Sequence, residues 1–404
     1  MRKGGIIVRY LTITSEREAV SLMEAIGVDP YGVTAMVPKL FAHVVYVDGL
    51  ACKVANILKQ EMLSIGGDVA VARDTVACTV EKTDALIMGS EKQMFLLAEK
   101  LARQPFGLNE IGRDIVESIR HKKITTFSLE TPRRTVELGK RTLVMGIVNV
   151  TPDSFSDGGR FEGPDDAVEH ACVLAEEGAD IIDVGGESSR PGAEAVSLEE
   201  ERERVIPVIR NLMRRVTVPI SIDTRKAVIA REAIEAGAEI VNDISALTHD
   251  KAMADVVARH EVPVVLMHMR GVPETMQTGD LAYRCIRGDI ISFFRERIEA
   301  AVSAGIEQSK IILDPGIGFG KTAADNMRLL KYLDEFAVLG CPILVGTSRK
   351  SFIGAVTGQK PEDRMEGTAA TVTAAIMKGA HIVRVHDVRA MKRVVEVTDA
   401  LVRS

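Results

Sequence analysis

The chain has 404 residues, 46% hydrophobic and 27% charged, with 51 Lys and Arg against 57 Asp and Glu for a formal net charge of -6. This balance excludes an intrinsically disordered chain and argues against a general nucleic-acid binder, which needs a strongly basic face. The length accommodates a barrel of about 250 residues plus a smaller domain.

The opening stretch, MRKGGIIVRYLTITSEREAV, is positively charged, but its short apolar run is interrupted by Arg9 and soon meets acidic residues. That is not a secretory-signal pattern. No uninterrupted apolar segment approaches the roughly 20 residues that cross a bilayer, so a cytoplasmic protein with no membrane partner is expected. Cys52, Cys78, Cys172, Cys285 and Cys341 are odd in number, scattered and nowhere closely paired. They are expected to be buried free thiols in a reducing compartment.

Residues 1–122 read as a small α+β domain. HVVYVDGL and VAVARDTVACTV have strand character, ACKVANILKQEMLSIG and EKQMFLLAEKLARQ helical character. No active-site constellation stands out, and a packing or oligomerisation role is the expectation. The next stretch, TTFSLETPRRTVELGKRTLV, reads as two short strands joined through Pro132 and Arg133, a hairpin closing one end of the larger domain.

Residues 123–404 carry a repeated rhythm in which a short apolar run ends in polar residues and gives way to an amphipathic helical stretch. Eight such runs occur, at 142–150, 180–186, 219–224, 239–243, 263–268, 310–315, 342–348 and 381–387. They are nearly continuous rather than alternating, as strands of a parallel sheet buried on both faces are. Eight β/α units predict a (β/α)8 TIM barrel, an α/β fold with its site at the C-terminal ends of the strands.

Those ends are polar. In order they supply Asn149, Asp183, Asp223, Asn242 with Asp243, His268, Asp314, Ser348 with Lys350, and Arg384 with His386. Any one alone could be a helix N-cap or a buried structural group, and each arginine could simply pair with an aspartate. Together they describe two surfaces. Asp223, Asn242 and Asp314 offer hydrogen bonds to a flat heterocycle; a divalent cation is the rival occupant, disfavoured by the amide of Asn242 and by Lys350. The loops NVTPDSFSDGGR and GGESSRPGAE, with Arg190 beside Ser188 and Ser189, suit an anion, as do Arg384 and His386, two apart on one strand face.

One segment points elsewhere at first sight. LDPGIGFGKT, 313–322, mimics a phosphate-binding P-loop, but the position of its required first glycine is Pro315, which has no N–H to offer.

The stretches MGIVNVTPDSFSDGG, DIIDVGGESSRPGAE, SIDT, VNDISA, ILDPGIGFGKT, TSRKSFIG and RVHDV, in that order, resemble the dihydropteroate synthase family from about residue 125 to the end. The resemblance implies condensation of 6-hydroxymethyl-7,8-dihydropterin diphosphate with 4-aminobenzoate, giving 7,8-dihydropteroate and pyrophosphate, assisted by Mg2+. It implies that Asp223, Asn242, Asp314 and Lys350 hold the pterin. By the same resemblance Asn149 would ligate Mg2+, and Arg190, Arg384 and His386 would grip the diphosphate. It further implies that Ser189, Pro191, Phe319 and Ser351 would border the aminobenzoate, while Asp153 and Phe155 would come from a closing first loop. Ser189 stands where many relatives have Thr, keeping the hydroxyl and losing a methyl contact with substrate or sulfonamide. A homodimer is also implied. The alternatives are a pterin-binding methyltransferase domain using methyltetrahydrofolate, which has no need of the arginine-rich grip, and a non-catalytic pterin-binding protein, which would have lost loop residues. The resemblance says nothing of the N-terminal domain.

Overall fold

The computed structural model describes residues 9–151, 164–188, 192, 195–271, 275–276 and 281–403. It divides into two compact units, 1–120 and 121–404. Among the described residues no helix is long and apolar enough to cross a membrane.

In the first unit α1 (Glu16–Ile26), α2 (Pro30–Leu40), β1 (Ala42–Ala51), α3 (Cys52–Leu63), β2 (Asp68–Val71), β3 (Lys82–Ser90), α4 (Glu91–Leu101) and α5 (Leu108–Lys122) succeed one another. The strands form an antiparallel sheet in the order β1-β3-β2. Leu58, Met62, Val69, Ile87, Met94, Leu97 and Ile115 form its core. The strand expected over VAVARDTVACTV stops at Val71, because Arg73–Thr75 turns into a short 3-10 helix. The cysteine expectation is also corrected. Cys52 and Cys78 form a disulfide with their Cα atoms 5.6 Å apart, since that turn returns the chain to the start of α3, where the Cys52 N–H meets Glu81 O. Of the free cysteines only Cys341 is buried; Cys285 is exposed.

The second unit contains β4 (Phe127–Glu130), β5 (Thr135–Leu138), β6 (Leu143–Asn149), α6 (Pro164–Glu176), β7 (Ile181–Gly185), α7 (Leu198–Leu212), β8 (Ile220–Asp223), α8 (Ala227–Ala236), β9 (Ile240–Asp243), α9 (Met253–His260) and β10 (Val264–Met267). It continues with α10 (Ile286–Ser303), β11 (Ile311–Asp314), α11 (Ala323–Lys331), β12 (Leu344–Val345), α12 (Ser351–Thr357), α13 (Met365–Met377), β13 (Ile382–Val385) and α14 (Val388–Arg403). All eight expected runs contribute a strand. They pair in parallel in the order β11-β10-β9-β8-β7-β6-β13-β12, and a bridge between Leu313 and Ile343 joins the two ends. The sheet is a TIM barrel, as the rhythm of the sequence predicts.

The hairpin β4-β5 closes the N-terminal end. Leu129, Val136 and Leu138 pack with Leu143, Ile181, Ile240, Ile312 and Ile382 from the starts of the barrel strands. Thr131 and Arg134 in its turn bond the buried Glu239, just ahead of β9, at 2.6 and 2.9 Å. His381 completes this floor, its ring set edge-on to Phe127 at 5.0 Å and its Nδ1 accepting the Ile343 N–H at 3.1 Å.

Burial pulls the His381 imidazole down to about 4, so the fold holds it neutral while the unfolded chain binds a proton near pH 6.5. Its contribution is therefore complete above that pH and declines as pH falls towards 4, by up to about 3 kcal/mol. Urea titrations of His381→Gln should show a shallower loss of stability between those two pH values than the parent chain shows; equal slopes would remove His381 from the acid response.

Candidate active site

Alternation along the strands decides which side chains reach the barrel mouth. Val144, Val148, Ile182, Val184, Ile222, Val241 and Val383 point out to the helices, whereas Leu143, Met145, Ile181, Ile240, Ile312 and Ile382 point in. Counting on by twos from the inward set gives Asn149, Asp183, Asn242, Asp314, Arg384 and His386, and Asp223 joins them as the residue after the outward Ile222. The polar strand ends are thus the upper layer of the barrel interior.

Arg384 organises this layer. Its Nε donates to Asp183 Oδ2 and one terminal nitrogen to Asp223 Oδ2, both at 2.7 Å. Asn242 Nδ2 donates to the same Asp183 oxygen at 3.0 Å. Asp183 is wholly buried. Burial pushes the Asp223 carboxyl up to about 7, against the pull of Arg384.

On the facing side Asp314, raised by burial against the pull of Lys350, accepts the Gly316 N–H at 2.7 Å. Lys350, drawn down to about 8 by burial, donates to Ile317 O. Its ammonium lies 4.2 Å from the centre of the Phe319 ring, within cation–π range. His386 Nδ1 lies 3.0 Å from Ser348 Oγ, which also receives the His386 N–H at 3.2 Å. Ser351 is the exposed first residue of α12, and Asn149 is the exposed last residue of β6.

Asp223, Asn242, Asp314, Lys350, Arg384, His386 and Phe319 therefore come together at one rim. Asp153, Phe155, Ser189, Arg190 and Pro191 lie outside the described residues. The residue entering that second loop is nevertheless braced: Glu187 takes ion pairs from Arg225 and from Lys226, the latter at 2.8 Å, and Lys226 also reaches the buried Glu201.

Two polar strand ends are structural instead. Asp243 caps its own turn, accepting the N–H groups of Ser245 and Leu247 at 2.8 Å each. The His268 ring packs edge-on against Phe293 at 4.9 Å. Asp183, by contrast, joins the site as the shared acceptor of Arg384 and Asn242; its inward parity on β7 was the signal for it.

Among the described residues no group of three or more His, Cys, Asp or Glu could hold a metal. Asn149, exposed at the end of β6, nevertheless carries an amide oxygen of the kind that Mg2+ takes beside its waters and phosphate ligands.

The P-loop likeness dissolves in the structure. Lys321 is buried and gives its three protons to the carbonyls of His268, Gly316 and Phe319 at 3.0, 2.9 and 2.9 Å. Calorimetric titration with ATP and Mg2+ should show no saturable heat; a saturable isotherm would restore the nucleotide reading.

The profile of the family described as "Pterin binding enzyme" matches residues 145–386, from β6 to His386. A dihydropteroate synthase of Synechocystis is 52% identical over 270 residues, 66% of this chain and 92% of that one. The chain belongs to the dihydropteroate synthase family. A solved dihydropteroate synthase of Xanthomonas albilineans, in complex with 7,8-dihydropteroate, superposes with a TM-score of 0.61 at 43% identity, covering 68% of this chain and 98% of that one. A further relative, described as a probable bifunctional folylpolyglutamate synthase/dihydropteroate synthase of Halobacterium salinarum, is 42% identical over 391 residues. That match spans 96% of this chain and 46% of the other. The likeness to the Halobacterium relative thus reaches well beyond the barrel shared with dihydropteroate synthases.

Proposed function

We propose that this chain condenses 6-hydroxymethyl-7,8-dihydropterin diphosphate with 4-aminobenzoate, releasing pyrophosphate and 7,8-dihydropteroate. The observation that carries the reading is the Arg384 guanidinium, held 2.7 Å from both Asp183 and Asp223. It sets a cation for the leaving group beside Asp223, a member of the set that recognises the ring.

Asp223, Asn242 and Asp314 accept and donate to the edge of the pterin, with Lys350 against it. Arg384 uses two N–H groups on carboxylates and has further donors in its fork for diphosphate oxygens. His386, and Arg190 from the second loop, complete the grip. The C–O bond between the pterin methylene and the diphosphate breaks, and the electron pair leaves with pyrophosphate. The arylamine nitrogen then forms the C–N bond and loses its proton. The amine is already nucleophilic, so positioning and stabilisation of the departing anion suffice. Phe319, Ser351, Ser189 and Pro191 border the arylamine, with Asp153 and Phe155 from the first loop. Asn149 would hold Mg2+ together with the diphosphate, and the ion would neutralise charge on the leaving group. A homodimer in the cytoplasm completes the reading.

The test is pyrophosphate release by the purified chain supplied with both substrates. Release that depends on 4-aminobenzoate and matches dihydropteroate formed is expected; no release above the amine-free blank would refute the assignment.

A further inference from the structure

The glycine-rich loop after β11 leaves one buried cation without a part in the chemistry. Lys321 ends that loop, and its ammonium has three N–H donors, met by the three carbonyl oxygens at 2.9 to 3.0 Å. One acceptor, His268 O, lies at the end of β10; the other two, Gly316 O and Phe319 O, lie within the loop. The side chain therefore ties the loop to the neighbouring strand. Three further contacts depend on where the loop lies. Gly316 N–H bonds Asp314 at 2.7 Å, Ile317 O receives Lys350, and the Phe319 ring sits 4.2 Å beneath the Lys350 ammonium.

We infer that Lys321 is a positioning residue for ring recognition, fixing the loop so that Asp314 and Lys350 face the pterin in one arrangement, with the Phe319 ring, which borders the arylamine, set against the Lys350 ammonium. Burial drives its pKa well below the usual lysine range, with Asp314 the leading opposing influence. Three carbonyl partners fit only the protonated form, because a neutral amine has two N–H groups.

The inference rests on the pterin reading, and its test separates the two. Steady-state kinetics are measured for the full chain, Lys321→Met, Phe319→Ala and the double variant, with thermal unfolding of each. If the parent chain shows no turnover, the functional reading fails and this inference falls with it. With an active parent, Lys321→Met should raise KM for pterin diphosphate tenfold or more while kcat changes less than threefold. The increase should be less than multiplicative with that of Phe319→Ala, because one residue acts through the other. A folded Lys321→Met with KM within twofold of the parent, or strictly multiplicative effects, overturns the inference. Should Lys321→Met fail to fold, Lys321→Gln, which keeps two N–H donors, should raise KM by a smaller factor; a parent-like KM in that variant is equally fatal.

Discussion

Arg384→Ala should lower turnover by about 100- to 1,000-fold, the loss typical of removing one group that stabilises a departing anion. The substitution also strips two carboxylates of their partner. Removing one member of a buried ion pair usually costs about 3–5 kcal/mol, because the charge left behind has no solvent. Asp223 moderates that loss: its carboxyl already sits near 7 with Arg384 present, so without the guanidinium it takes up a proton rather than remaining charged. The variant should fold with a reduced denaturation midpoint that recovers partly as pH is lowered towards 5. Arg384→Lys keeps the charge but loses the fork that spans Asp183 and Asp223, and should fall between parent and alanine variant in kcat. Rapid-quench turnover and urea midpoints, measured together, check both effects. Near-parent turnover in Arg384→Ala would remove the residue from the leaving-group grip.

Gly316→Ala is expected to be the most damaging single-atom addition in the loop. Gly316 has φ +66°, and a Cβ there would lie 2.0 Å from the His268 carbonyl oxygen, backbone that no rotamer change can move. The left-handed conformation alone costs an L residue about 1–2 kcal/mol, and the overlap adds to it, so a loss of about 3 kcal/mol or more is expected. The same displacement would break the bond from Gly316 N–H to Asp314 and lift the loop that Lys321 holds, so pterin affinity should fall with stability. Gly379→Ala is the control: φ is +90° there too, yet nothing lies within 4 Å of the added carbon. Equal losses in denaturant midpoint for the two variants would mean that backbone conformation, not the close approach, sets the effect.

How far the sequence speaks can be traced to particular residues. The barrel strands were legible because burial on both faces writes an apolar run such as VVLM or IILD, and the closing hairpin because Pro132 and Arg133 separate two alternating stretches. Asp223, Asn242, Asp314, Arg384 and His386 were legible for the same reason, as polar breaks at strand ends on the inward parity. Asp183 was visible at its strand end, but its role depends on Arg384, 201 residues away, a pairing that only barrel closure creates. Asp243 and His268 show the reverse, polar residues turned to local capping and aromatic packing. The Cys52–Cys78 bond joins positions 26 apart through a turn whose residues read as strand. Lys321 copied the spelling of a phosphate lysine, and only its three carbonyl partners reveal a different task.

Diffraction from crystals grown with 7,8-dihydropteroate reads most directly whether the barrel rim recognises the ring with a cation beside it. The pterin should lie in the barrel mouth with its ring edge within hydrogen-bond distance of Asp223, Asn242 and Asp314 and the Lys350 side chain against it. A pterin found in the N-terminal unit, or in the barrel but beyond reach of those three side chains, would contradict it.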